Sequence, residues 1–391
     1  MEAIVTAQKM AAGGDAIARL DDGRVVFVEG ALPGEQVRVD ITTTKKDFSR
    51  GVVAEVLDPS PSRVSPPCPE LARGCGGCGW QHATADAQLS MKTDIVIDAL
   101  RRTAKLAEPT VSAGGSVPQW GYRTTMRLAV HASGRVGLRA ANSHEVVALG
   151  ECPVAHPELS GLLAAVRVRG AAELTLRVSA STGEATALAS DERGRPTNAV
   201  IEGLPDHVAV GPGAVLHESI AGARLRVSAP SFFQSGPFAA ELLVGTVATA
   251  CGHLLRSGAR LLDAYGGIGL FAATLGGSEV VVVESSQSAT ADAAVNVPHA
   301  EVVCAAFEQW APRSVDLAVV DPARAGLGRE AVEVLAGTTA QRVVLVSCDP
   351  VSLARDTVLL AAHGYVHGSS VVLDLFPHTP HVETVTVFDR R

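Results

Sequence analysis

The chain passes through three regimes of hydrophobic patterning. Over residues 1–58 apolar and polar side chains alternate in short runs, at 25–28, 36–41 and 51–57. This is the period-two pattern of half-buried strands. Gly13-Gly14, Asp22-Gly23 and Pro33-Gly34 read as turns between them. Short strands with no long helical stretch predict a small β-barrel. Asp58-Pro-Ser-Pro-Ser-Arg63, followed by Pro66-Pro67, marks a boundary. Over 84–107 the spacing turns helical, with Leu89, Ile95, Val96 and Leu100 recurring and Thr84 as the N-cap. Residues 121–230 return to alternation, as at 125–130 and 174–178, and read as an antiparallel α+β region.

From about 231, helical segments alternate with apolar runs at 261–263, 280–283, 317–320 and 343–346. That order predicts a mostly parallel, doubly wound sheet. A hairpin from 371–375 and 383–388 closes it. The expected architecture is multidomain: an N-terminal β-barrel over 1–59, a central α+β domain over 60–230 with a cysteine-rich loop, and a C-terminal α/β Rossmann-like domain over 231–391. The helix at 84–107 is expected to pack on the last of these.

Composition narrows the function classes. Of 391 residues, 47% are apolar and 19% charged, which suffices for buried cores and excludes a largely disordered chain. No apolar run approaches the roughly 20 residues of a spanning helix. The first residues show no basic stretch leading into an apolar one. A soluble, cytoplasmic protein with no membrane partner is expected. The net charge of -8 argues against non-specific coating of nucleic acid but permits local basic grooves. One basic set is Arg101, Arg102, Lys105, Arg123, Arg127, Arg135 and Arg139; a second is Lys45, Lys46 and Arg50 around Phe48. Phosphate contacts and base stacking need that combination, although Arg101, Arg102 and Lys105 read equally as a solvated helix face. The seven cysteines are too few for a disulfide scaffold. The cluster Cys68, Cys75 and Cys78 points instead to metal binding or redox chemistry.

Three stretches carry candidate chemistry. Residues 261–272 read as strand, glycine-rich turn and helix start, with Gly266, Gly267 and Gly269 free to let a ligand approach. Glu284 ends the next apolar run, where an acid binds ribose hydroxyls in Rossmann sheets. The motif opens with Asp263 and runs Gly-Gly-x-Gly, closer to S-adenosylmethionine sites than to nicotinamide sites. The alternative is a tight turn and nothing more. Two further apolar runs end in Asp321 and Cys348, placed to converge beyond the carboxyl ends of the strands. Cys348 can present a thiolate or be a small buried hydrophobe, a reading that also suits Cys251 and Cys304. Finally, Phe376-Pro-His-Thr-Pro-His-Val-Glu383 forms a polar loop. There Glu383 is a candidate general base, oriented by His378 or His381.

Taken together, Ser347-Cys-Asp-Pro-Val-Ser-Leu-Ala-Arg-Asp356, Asp321-Pro-Ala-Arg-Ala-Gly326, Phe232-Phe-Gln234 and Pro377-His-Thr-Pro-His-Val-Glu383 resemble the RNA uridine-5-methyltransferases. The resemblance covers nearly the whole chain and implies a TRAM-type RNA-binding barrel at the N-terminus. It implies an S-adenosylmethionine-dependent methyltransferase domain, with Cys348 as nucleophile, Glu383 as base and Asp321 holding the uracil. Gln234, Tyr265, Gly267, Glu284 and Asp321 fall at methyl-donor contacts. Ser235-Gly236, Leu270 and Ala305-Ala306 depart from the family pattern, where polar residues are common.

The resemblance further implies a [4Fe–4S] cluster on Cys68, Cys75, Cys78 and Cys152, the last in a Cys-Pro pair. Spacing alone leaves a Cys₄ zinc site open. The implied partner is RNA, leaning to 23S rRNA with tRNA as alternative, and a monomer is expected. The rivals are an RNA-binding protein with a weakened donor site and a nicotinamide oxidoreductase.

Overall fold

The computed structural model describes every residue except Met1 and Ser257. Residues 2–58 form one six-stranded sheet from the strands Glu2–Thr6, Lys9–Met10, Ala16–Arg19, Val25–Glu29, Gln36–Thr44 and Phe48–Asp58. Alternation decides which side chains turn inward. Val26 and Val28, Val37 and Val39, Ala16 and Ala18 are all fully buried. Three of these strands, Glu2–Thr6, Lys9–Met10 and Ala16–Arg19, were too short or too mixed for the sequence pattern to mark.

The barrel core does not close on itself. Trp80, Met91 and Ile95 complete it from outside. Met91 and Ile95 lie on the helix Ala85–Arg102, whose Val96 and Leu100 enter a second core under the C-terminal sheet. The helix is therefore apolar on two faces and packs between two bodies. It ends at Arg102 although Ala104-Lys-Leu-Ala107 would support more turns. Lys105 takes a left-handed conformation (φ 59°), and the Leu106 amide returns to the Leu100 carbonyl at 3.3 Å. Leu106 is thereby drawn against the core that already holds Leu100. Packing, rather than propensity, stops this helix.

A central sheet follows, in the order Val146–Ala148, Val136–Arg139, Thr125–Val130, Glu173–Val178, Ala185–Ser190 and Val208–Val210. Its pairs are antiparallel except the last. The C-terminal sheet has eight strands, in the order Glu301–Cys304, Glu279–Glu284, Arg260–Ala264, Leu317–Val320, Arg342–Ser347, Glu383–Arg390, Tyr365–Asp374 and Val111–Ser116. The first five are parallel. Glu383–Arg390 runs antiparallel between two neighbours. The edge strand Val111–Ser116 comes from far upstream, and its Gly114-Gly115 carries no hydrophobic alternation to announce it. Strand order reverses between Arg260–Ala264 and Leu317–Val320. In open α/β sheets ligands bind at that reversal, beyond the carboxyl ends. No described helix is long and apolar enough to cross a membrane.

Candidate active site

The glycine turn leaves the strand Arg260–Ala264 through Tyr265, held at φ 58°. A Cβ on Gly266 would stand 2.7 Å from Val282 Cγ1 and 3.0 Å from the Asp263 carboxyl carbon. Glycine is required there by crowding. Asp263 is fully buried, and its Oδ2 accepts from the Ala272 amide at 2.9 Å, fixing the turn to the next helix. Its Oδ1 has no partner among the described residues. Burial pushes this carboxyl up to about 8, with Asp321 and Glu284 adding to the rise.

Gln234, Tyr265, Gly267 and Asp321 line one pocket together with Leu270. Glu284 stands behind its wall: the carboxylate accepts from the Gly267 amide at 3.1 Å and the Ser286 amide at 2.6 Å. The Tyr265 hydroxyl donates to Glu308 at 2.6 Å. The departure at Gly236 has a steric reason. A Cβ there would stand 2.2 Å from the Tyr122 carbonyl oxygen, so no side chain fits.

Three acidic groups meet beside this pocket. Asp321 follows the strand Leu317–Val320, and its amide donates to the Ala264 carbonyl at 3.2 Å. Cys348 is the first residue past Arg342–Ser347. Glu383 opens the antiparallel neighbour, whose Thr384 pairs with Ser347 and donates its hydroxyl to the Ser347 carbonyl at 3.0 Å. Cys348 and Glu383 are the next residues beyond that last pair, and their charges interact. Burial, helped by Glu383 and Asp321 and opposed by Arg324, pushes the Cys348 thiol up to about 11. Burial, then Asp321, lifts Glu383 well above the usual carboxylate range. Burial raises Asp321 to about 7. Like charges this close do not all form at once.

Two expectations fail here. Neither His378 nor His381 bonds to Glu383 among the described residues. The Gln88 side chain faces His378 Nδ1 at 3.3 Å, and the Gln119 carbonyl oxygen faces its Nε2 at 3.0 Å. His381 is exposed. Cys304 is exposed too, whereas Cys251 is buried and inert, its thiol pushed up to about 12 by burial. The Phe48 ring of the basic barrel patch packs edge-on against Phe27 at 5.8 Å, and Arg50 pairs with Asp15 at 2.7 Å.

Several site-shaping residues escaped the sequence reading. Lys92 is fully buried and donates to Asp374 Oδ1 at 2.6 Å and the Phe376 carbonyl at 3.1 Å. Gln88, one turn earlier, accepts from the His378 amide at 2.6 Å. Trp120 stacks on His378 at 4.2 Å, and the Trp80 amide donates to the His378 carbonyl at 2.9 Å. These residues hold the loop that delivers Glu383. A polar pair spaced by four on an otherwise apolar helical face was the available signal.

Cys68, Cys75, Cys78 and Cys152 line one cavity of about 230 Å³, with Thr379 and His381 on another wall. Burial raises the thiols of Cys75, Cys78 (to about 11) and Cys152, and neighbouring cysteines add to each shift. Among the described residues, no three His, Cys, Asp or Glu side chains gather closely enough to hold one metal ion.

Comparison with known proteins gives consistent matches. Residues 1–54 match the TRAM domain family, and residues 313–391 match the family described as tRNA (Uracil-5-)-methyltransferase. An uncharacterized RNA methyltransferase of Streptomyces coelicolor is 35% identical, over 97% of this chain and 91% of its own length. The 23S rRNA (uracil(1939)-C(5))-methyltransferase RlmD of Pectobacterium atrosepticum is 33% identical, over 98% and 93%. Among solved structures, the Pyrococcus abyssi tRNA (uracil-54, C5)-methyltransferase in complex with S-adenosyl-L-homocysteine superposes with TM-score 0.73 at 24% identity, covering 98% of this chain and 99% of that one.

Proposed function

Because this chain belongs to the S-adenosylmethionine-dependent RNA uracil-5-methyltransferases, we propose that it forms 5-methyluridine in 23S rRNA through a covalent bond between Cys348 and carbon 6 of the target uracil. The observation that supports this reading is the strand pair Ser347–Thr384, directly before Cys348 and directly after Glu383, with Asp321 lining one pocket with the glycine turn. The RlmD relatives support 23S rRNA as the substrate.

The chemistry follows from the groups present. Carbon 5 of uracil is a poor nucleophile. Cys348 releases its thiol proton to solvent, Sγ bonds to carbon 6, and the displaced π electrons make an enolate that activates carbon 5. S-adenosylmethionine, when bound, supplies an electrophilic methyl group. Carbon 5 then carries both the methyl and its original hydrogen. Glu383 removes that proton, the double bond re-forms, and sulfur leaves with its bonding electrons. A carboxyl raised by burial is a stronger base once ionised. Asp321 holds the uracil edge, while Gln234, Tyr265, Gly267 and Glu284 shape the donor side. The target base must leave its stack to reach this depth.

The cysteine quartet is the [4Fe–4S] candidate. Its four thiols line one cavity, and four cysteines are the ligand set such a cluster takes. Methyl transfer is redox-neutral, so the role assigned to these cysteines is to organise the loop beside Thr379 and His381.

The test uses two variants. Cys348→Ala abolishes methyl transfer to 23S rRNA transcripts. Glu383→Gln accumulates a slow-migrating protein–RNA band on denaturing gels. Full activity of Cys348→Ala removes the thiol from the reaction. Mapping 5-methyluridine in a strain lacking the protein identifies the RNA, and a mark lost from tRNA alone would move the assignment there.

A further inference from the structure

A groove of about 480 Å³ runs from the central sheet to the 229–235 segment. Arg123, Arg127 and Arg177 all line it, and no Asp or Glu is among its described lining residues. The sheet explains this convergence. Arg127 pairs with Thr175 and Arg177 with Thr125 across one antiparallel register. Alternate residues share a face, so two arginines sit diagonally on the same side. Like charges in that arrangement repel, and nothing in the apolar core requires them.

Arg177 is 4% exposed. Its Nε donates to Thr125 Oγ1 at 3.1 Å, one terminal nitrogen to the Ser228 carbonyl at 3.2 Å and the other to the Ser231 carbonyl at 2.9 Å. All three acceptors are neutral. Burial pushes this guanidinium down to about 10, while Asp292 and Glu218 pull it up from a distance. The Asp292 carboxylate is already taken by Arg226, Ser228 and Ser231. Arg123 lies over the Phe376 ring at 5.7 Å, and its buried Nε has no hydrogen-bond partner. Arg127 is exposed at the rim and pairs with Glu173. The groove shares Phe232 and Phe233 with the pocket that Asp321 lines, so its charge leads to the reaction centre.

We propose that this groove binds the phosphodiester backbone of the RNA strand flanking the target uridine, with the buried Arg177 and the half-buried Arg123 as anchors and Arg127 at the rim. The proposal rests on the RNA-methyltransferase reading and adds the course of the strand. A buried guanidinium bonded to neutral oxygens keeps its full charge, and charge-assisted bonds to a phosphate offset part of its desolvation. Each neutralised phosphate also releases counterions, which makes affinity depend on salt.

The experiment is a salt titration by fluorescence anisotropy, with a uridine oligoribonucleotide and its uncharged methylphosphonate copy. Wild type binds the charged backbone far better, and its log affinity falls steeply with log salt. Arg127→Ala and Arg123→Met each flatten that slope by about 0.7, the increment expected for one contact to a single strand. Calorimetric binding of S-adenosylmethionine verifies that each variant is folded. Equal affinity for the two backbones, or unaltered slopes in both variants, overturns the proposal. Failure of wild type to form 5-methyluridine while the slopes behave as stated would overturn the proposed reaction and leave the groove standing.

Discussion

Cys348, Glu383 and Asp321 share one water-poor space, and their protons are interdependent. For Glu383 and Asp321 the folded protein holds the proton to higher pH than an ordinary carboxyl near 4 does. The folded state then binds more protons than the unfolded one between those values. Stability is greatest below about 4 on this account, and falls as pH rises toward the folded values, about 7 for Asp321. Glu383→Gln removes one of these ionisations. It is expected to melt higher than wild type at pH 8 and nearly level with it at pH 5; a gain of about 1 kcal/mol would appear as roughly 2–4 °C. Thermal denaturation at both pH values checks this, and a lower melting point at pH 8 would count against the buried, raised carboxyl. At this scale the sequence marked Cys348 and Asp321 because each interrupts a long apolar run. Arg177 and Lys92 carried no such mark. Each sits inside a regular strand or helix, and only its three-dimensional neighbours make it unusual.

Among the elements, the helix Ala85–Arg102 does the most to position chemistry it does not contain. Gln88 and Lys92 reach the loop that precedes Glu383. The Lys92–Asp374 pair is wholly buried. Lys92→Met would leave Asp374 buried and unpaired, and is expected to cost about 3–5 kcal/mol. Methyl transfer should fall with it, because the loop loses its hold. Replacing both partners, with Asp374→Leu added, should recover much of the stability but not the loop anchor at the Phe376 carbonyl. Urea denaturation of the single and double variants separates the two effects, and equal stability of all three proteins would sink the argument. The helix itself was legible from its spacing. Its end was not, because the turn at Lys105 depends on where Leu106 finds a core.

On the scale of the whole molecule, the loop at 376–382 is where the separate parts meet. A Cβ on Gly14 of the barrel would lie 2.7 Å from Pro380, Trp80 and Trp120 flank His378, and the Tyr122 hydroxyl donates to the Pro377 carbonyl at 3.4 Å. Thr379 and His381 also wall the cysteine cavity. If that cavity holds a [4Fe–4S] cluster, anaerobically prepared protein should contain iron and acid-labile sulfide, and removing them should speed proteolytic cleavage near 376–382. Cleavage at the same rate in both forms would separate the cysteines from the loop. The chain alone determined the strand periods, the glycine turn, the residues that end the parallel strands and the acidic balance, because each is written in local spacing. Tertiary structure decided the rest: the edge strand Val111–Ser116, the helix with two cores, the diagonal arginines and the clasp around Glu383. Those features pair residues tens to hundreds of positions apart, and pattern along a chain carries no information about which distant side chain will supply the partner.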